Sequence, residues 1–165
     1  MKINLDRIIF ENRKSIKEIE EGTLLSPKFN DEGLIPCVTV ENETKEVLMV
    51  SYLNDLALKK TIATNKAHYY SRSRKAIWLK GEISGMTHKI NEIYIDDDQD
   101  SIIFVVSLGI PTKGGKKASC HVGYKSCFYR KIKISENKLQ LEFTEKEKSF
   151  DPEIVYEGTE NPTKL

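Results

Sequence analysis

The run Ser101–Leu108 constrains the fold more than any other segment. It holds Ile102, Ile103, Phe104, Val105, Val106 and Leu108 almost without a polar break. It is far shorter than a membrane span, and a run so nearly all apolar reads as a buried strand. Other short β-rich runs accompany it. Leu34–Val40 and Val47–Leu53 are separated by Glu41-Asn42-Glu43-Thr44-Lys45, the pattern of a hairpin. Ala67–Ser71, Ile77–Leu79 and Ile90–Ile95 follow. Lys131–Phe143 alternates weakly through Ile132, Ile134, Leu139, Leu141 and Phe143, which predicts an edge hairpin turning at Glu136-Asn137. One helix is clear. Asn54 is a good N-cap, Asp55 lies in the first turn, Leu58 and Ile62 stack at i, i+4, and Asn65 closes the segment after Thr64. Residues 109–119 combine Gly109, Pro111, Gly114 and Gly115 with lysines and predict a mobile loop. The sum is an α+β domain, mainly β, with small mixed sheets and one main helix.

Glu11 to Glu21 is charged and predicts a helix, with Ile16 and Ile19 its only buried candidates and Gly22 its stop. Ser26-Pro27 and Asn30-Asp31-Glu32-Gly33 are turn chemistry. Residues 1–30 therefore read as an N-terminal arm, 31–156 as the main domain and 157–165 as a flexible tail. A chain of 165 residues can bury a core without a disulfide framework. Lys and Arg number 26 against 25 Asp and Glu, a net charge of +1, which excludes a globally basic nucleic-acid binder and an acidic disordered chain. No apolar run reaches the ~18 residues of a transmembrane helix. The segment Met1–Arg7 turns polar before a signal-peptide core forms. The expected compartment is the cytoplasm. There, three cysteines argue for metal or catalytic thiols rather than bridges, although Cys37, set in an apolar strand, reads as core.

Three constellations carry chemistry. Asp96-Asp97-Asp98-Gln99-Asp100 places four carboxylates in five positions between two strands. In an extended chain Asp96, Asp98 and Asp100 share one side and Asp97 points to the other. Asp96 and Asp100 would then stand roughly 13 Å apart, so the segment must curve if they hold one ion. Hard oxygen ligands favour Mg²⁺ or Ca²⁺; the alternative is a solvated acidic turn. Cys120, His121 and Cys127 put two thiols and an imidazole within eight residues. That is half of a Zn²⁺ site with an open position, or a pair of incidental thiols. His68-Tyr69-Tyr70-Ser71-Arg72-Ser73-Arg74, followed by Trp78, Lys80 and Gly81-Glu82-Ile83-Ser84-Gly85, has the parts of a phosphate site. The same composition suits an ordinary basic hairpin or a single-stranded RNA surface.

Taken in order, these motifs resemble the phosphoribosyl-AMP cyclohydrolase family of histidine biosynthesis. The matching segments are Gly33-Leu34-Ile35-Pro36, Val47-Leu48-Met49, Ser71-Arg72-Ser73-Arg74, Trp78-Leu79-Lys80-Gly81-Glu82, Ser84-Gly85, the aspartate cluster, Cys120-His121, Ser126-Cys127-Phe128-Tyr129-Arg130 and Phe150-Asp151-Pro152-Glu153-Ile154-Val155-Tyr156. The resemblance covers residues 27–156. It implies hydrolysis of the N1–C6 bond of the adenine ring in 1-(5-phosphoribosyl)-AMP by an intertwined homodimer using Zn²⁺ and Mg²⁺. By the same resemblance, Mg²⁺ falls to Asp96, Asp98 and Asp100, and Zn²⁺ to Cys120 and Cys127. The third zinc ligand comes across the subunit interface, from the position held here by Asp97 where the family has a thiolate.

The other departures are His88 where the family usually has Gln, a longer loop at 109–119, and the 30-residue arm. His121 is the candidate for proton transfer, or else a zinc ligand. Arg72, Ser73, Arg74, Glu82, Ser84 and Gly85 are the candidates for holding the substrate. No membrane or nucleic-acid partner is expected. The rival readings are a divergent paralogue and a zinc-stabilised nucleotide- or RNA-binding module without turnover.

Overall fold

A computed structural model of the chain describes residues 3–135 and 138–163. Its strands are β1 (Ile35–Glu41), β2 (Val47–Leu53), β3 (His68–Ser71), β4 (Ala76–Leu79), β5 (His88–Ile95), β6 (Ile102–Leu108), β7 (Arg130–Ser135) and β8 (Lys138–Phe143). The helices are α1 (Ile16–Glu21), α2 (Asp55–Thr64) and α3 (Pro152–Val155). Six strands form one mixed sheet in the order β4-β3-β2-β1-β6-β5. The uniformly apolar β6 lies inside it, parallel to β1 and antiparallel to β5. A parallel pair needs a long crossover, and α2, β3, β4 and β5 all fall between β1 and β6 in the chain.

The sheet curls. Ala67 N–H donates to His88 O at 2.9 Å and Ile90 N–H to Asn65 O at 3.1 Å, so the start of β5 meets the chain entering β3. This closure encloses Ile35, Cys37, Leu48, Leu53, Tyr69, Phe104 and Val106, with Leu58 of α2 packed on them. Cys37 is core, as expected, and burial pushes its thiol up. On the other face, cross-strand pairing aligns Tyr94, Ile103, Val38 and Val50 in one apolar row. Tyr94, Ile103 and Val50 in that row are exposed.

Helix α2 has the expected bounds and caps. Ala57 N–H donates to Asn54 Oδ1 at 2.8 Å, and Asn65 is left-handed at φ 58°. Helix α1 is shorter than the charge pattern predicts. It starts at Ile16 because Ser15 caps Glu18 N–H, while residues 11–14 are held extended. Glu11 N–H bonds Leu25 O, and Arg13 reaches the carbonyls of Ser26 and Asp98. Ile16 is exposed rather than buried, and Ile19 is half-buried.

β7 and β8 pair as expected, but as a separate ribbon and not at the edge of the main sheet. Aromatic stacking explains its place. Tyr129 stacks on Tyr124 at 4.0 Å and Phe143 packs on both rings, which ties the ribbon to the loop before it. The expected turn at Glu136-Asn137 lies outside the described residues. Among the described residues, no helix is long and apolar enough to cross a membrane.

Candidate active site

The loop carrying the cysteines is closed by its own backbone. Ser119 N–H donates to Lys125 O (2.9 Å), and Cys120 N–H to Tyr124 O (3.2 Å). Cys127 N–H donates to Leu48 O (2.7 Å) and Ser126 Oγ to Val47 O (2.8 Å), which pins the loop to β2. Gly123 has φ +110°, and a Cβ there would come within 2.9 Å of Phe150 O, so this turn requires glycine. Cys120 is buried and Cys127 exposed.

The hydrogen bond from the Cys127 thiol lowers Cys120 to about 7, and the Lys80 ammonium acts in the same direction. The same bond raises Cys127. Two thiols sharing one proton are a donor pair that fits a soft divalent cation, but His121 does not converge with them: among the described residues the convergent ligand set is Asp96, Asp97 and Asp98. His121 follows Cys120 and is half-buried. Burial and Lys80 lower its pKa, while the hydrogen bond the ring donates to Asn161 opposes them, so it is neutral at neutral pH.

The loop opens on a cleft of about 380 Å³ lined by Lys80, Glu82, Ser84, His121, Cys127 and Tyr156, among others. A second cleft of about 700 Å³ holds Tyr52, Tyr70, Arg72, Ser73 and Arg74. Arg74, Trp78 and Pro162 line both clefts. Residues 72–75 form the turn between β3 and β4, so Arg72 and Arg74 project from a turn. Arg72 lies over the Tyr52 ring at 4.2 Å, and Arg74 Nε donates to Ser71 Oγ at 3.2 Å. Both still line the larger cleft. Gly85 lines neither. Its φ is +77° and it packs under residues 110–112, where a Cβ would meet Ile110 O at 2.8 Å.

The aspartates are elsewhere. Gln99 is left-handed at φ 59° and its N–H bonds Asp96 O, so residues 96–99 turn. Strand alternation therefore fails here: ligand oxygens of Asp96, Asp97 and Asp98 lie within 4.8 Å of one another, and Asp97 shares their side. Asp96 Oδ1 accepts the N–H groups of Asp100 and Ser101, and Asp100 and Asp98 face Lys28. Three convergent carboxylates fit a hard cation. Along β5, which runs from His88 to Ile95, the turn stands roughly 25 Å from the end where the cysteine loop lies.

Lys80 stands in the sequence among the parts of a phosphate site, but in the fold it is buried beneath the cysteine loop. It is 6% exposed, and its Nζ donates to Ser119 O at 2.6 Å. Burial lowers it to about 8, opposed by the two cysteines. Nothing in its neighbourhood in the chain marks it as buried. The segment 156–163, which supplies Tyr156, Thr159 and Pro162 to the smaller cleft, carried no signal beyond the motif ending at Tyr156.

Comparison with known proteins identifies the family. A family model described as phosphoribosyl-AMP cyclohydrolase matches residues 49–129. The chain is similar to the phosphoribosyl-AMP cyclohydrolase of Bradyrhizobium diazoefficiens, 46% identical over 140 residues that cover 84% of this chain and 94% of the relative. It is also similar to that of Rhodopseudomonas palustris, at 45% over 143 residues, 86% of this chain and 93% of the relative. The protein of the same name from Rhizobium etli is 40% identical over 153 residues, 92% of this chain and 99% of the relative.

Proposed function

Since the chain belongs to the phosphoribosyl-AMP cyclohydrolase family, we propose that it opens the N1–C6 bond of the adenine ring of 1-(5-phosphoribosyl)-AMP as a metal-dependent homodimer in the cytoplasm. The observation that carries the reading is the cleft shared by His121, Cys127, Glu82, Ser84 and Arg74. Water adds at C6, the C6–N1 bond breaks, N1 takes up a proton, and the exocyclic amine stays on C6 as a carboxamide. Zinc on Cys120 and Cys127 would supply the Lewis acidity that activates the attacking water.

The chain's own residues supply the rest. His121, neutral at neutral pH, accepts the proton of the attacking water and returns it to N1. Arg72, Ser73 and Arg74 bind phosphate oxygens with charge-assisted bonds, and Trp78, at the waist between the clefts, offers a face to the base. Magnesium held by Asp96, Asp98 and Asp100 of a second copy would offset phosphate charge, since within one chain the acidic turn stands at the far end of β5 from the cysteine loop.

Two observations support a dimer. The apolar row on the outer sheet face is uncovered in one chain. The acidic turn and the cysteine loop lie at opposite ends of β5, so Asp97 can meet the cysteines only from a second copy. Thiolate and carboxylate carry the same charge, so an aspartate there keeps the formal charge of a three-thiolate site. The test mixes the metal-loaded protein with phosphoribosyl-AMP and follows the absorbance of ring opening. Turnover that is lost on chelation and restored by zinc is expected; no turnover at any metal loading overturns the reading. Asp97→Ala should lose zinc while Asp97→Cys retains it, and a zinc-replete Asp97→Ala protein would refute the mixed-ligand site.

A further inference from the structure

A line of buried polar groups crosses the core and ends under the cysteine loop. Thr39 Oγ1 lies 2.8 Å from Tyr69 Oη, Tyr69 Oη lies 3.0 Å from His88 Nδ1, and His88 Nε2 lies 3.0 Å from Ser119 Oγ. Lys80 completes it by donating to the Ser119 carbonyl. Thr39, Tyr69 and His88 are fully buried, and Ser119 is 2% exposed. The members come from β1, β3, the first residue of β5, the turn after β4 and the loop.

Burying so many polar groups costs desolvation that apolar side chains would avoid, and each group must be partnered. Among the described residues, no buried side-chain nitrogen or oxygen lacks a partner. Core packing alone does not require this line. Its far end lies at a functional residue, because Ser119 immediately precedes Cys120. The hydroxyl of Ser119 is held by His88, its carbonyl by Lys80 and its N–H bonds Lys125 O. With every polar group taken, Ser119 is locked, and the direction in which the chain launches Cys120 is set by the core.

We propose that His88 is a positioning residue for Cys120, acting through Ser119, with Lys80 gripping the same residue from its carbonyl side. This rests on the reading that Cys120 and Cys127 hold a metal. Burial holds His88 neutral, so one ring nitrogen donates while the other accepts, and the hydroxyls of Tyr69 and Ser119 can each take either role. Glutamine also carries one acceptor and one donor group on a single planar unit, so it can take the place of the imidazole in this line.

The test titrates the metal-stripped full chain with Co²⁺, read by the thiolate-to-cobalt absorption band, with thermal melts alongside. His88→Gln should keep the band and bind within about twofold of the parent. His88→Leu and Ser119→Ala should each bind roughly tenfold or more weakly with an altered band, the scale seen when the support of a metal ligand is removed. The double variant should be no weaker than His88→Leu alone, because both break the same link. A folded His88→Leu protein with the parent's affinity and band overturns the proposal. If His88→Leu does not fold, Ser119→Ala decides: unchanged binding refutes the positioning role, and weakened binding at parental Tm supports it. A parent chain with no thiolate band fails the metal reading itself and removes the basis for the positioning role.

Discussion

The two ends of β5 are held in opposite ways. At the His88 end, the cysteine loop is fixed from within by a polar line that uses the closure of the sheet. At the Ile95 end, the acidic turn is fixed from outside by the N-terminal arm. Gln99, 5% exposed, accepts Ser26 N–H at 2.7 Å and donates to the carbonyls of Ile19 and Leu24, while its own carbonyl accepts Lys28 N–H. Arg13 adds a bond to Asp98 O. The enclosed end brings thiols together under an ammonium, where burial shifts ionisation. The outer end leaves its carboxylates facing solvent and Lys28. Each environment suits the hardness of the cation its donors prefer.

This contrast can be broken at either end. The largest effect belongs to Gln99→Leu, which strips partners from one N–H and two carbonyls of the arm. At about 1–3 kcal/mol per unsatisfied group, we expect a loss of about 3 kcal/mol or more in urea unfolding and faster tryptic cleavage at Lys14 and Lys17. An arm that stays protected would show that it does not depend on the turn. Tyr69→Phe attacks the other end. It leaves Thr39 and His88 short of one partner, for about 1–2 kcal/mol, and protease protection of the arm should be unchanged.

Titration sharpens the comparison further. Ultraviolet thiolate absorbance of the metal-stripped protein should show one step near pH 7, from Cys120, and no second step in the ordinary thiol range, because the hydrogen bond to Cys120 raises Cys127. Lys80→Met withdraws a positive charge that favours the thiolate, so that step should move to higher pH; a step that stays in place would deny Lys80 its electrostatic part. The smallest effect is expected for Lys28→Gln. Its ion pairs with Asp98 and Asp100 are 3.7 and 3.5 Å long and solvent-exposed, so stability should change by about 1 kcal/mol or less. A larger loss would mean that charge, rather than Gln99, docks the arm.

Chain order alone was enough to read β6, the β1–β2 hairpin and α2. Their signals are local: a run of apolar residues for a buried strand, a turn between two runs, and asparagines at both caps. The motifs around Arg72, Ser84, Asp96 and Cys120 were legible for the same reason, since each is contiguous. Side-chain direction at 72–75 and 96–100 was not legible. Alternation holds only while the backbone is extended, and a left-handed Gln99 and a tight turn after Ser71 redirect those side chains.

The sequence by itself determined which chemistry is present: thiols beside an imidazole, a dense carboxylate cluster, arginines with hydroxyls, and strands to carry them. Only the tertiary structure decided which of these groups meet. Curling of the sheet brings His88, 19 residues along the chain from Tyr69, to its hydroxyl, and brings Ser119, 31 residues further on, to the other face of the same imidazole. Lys80 becomes a buried cation because of that closure, and the aspartates stand at the far end of β5 because an extended strand keeps its two ends apart. Contacts between distant residues depend on how strands pair and close, which local residue patterns do not encode.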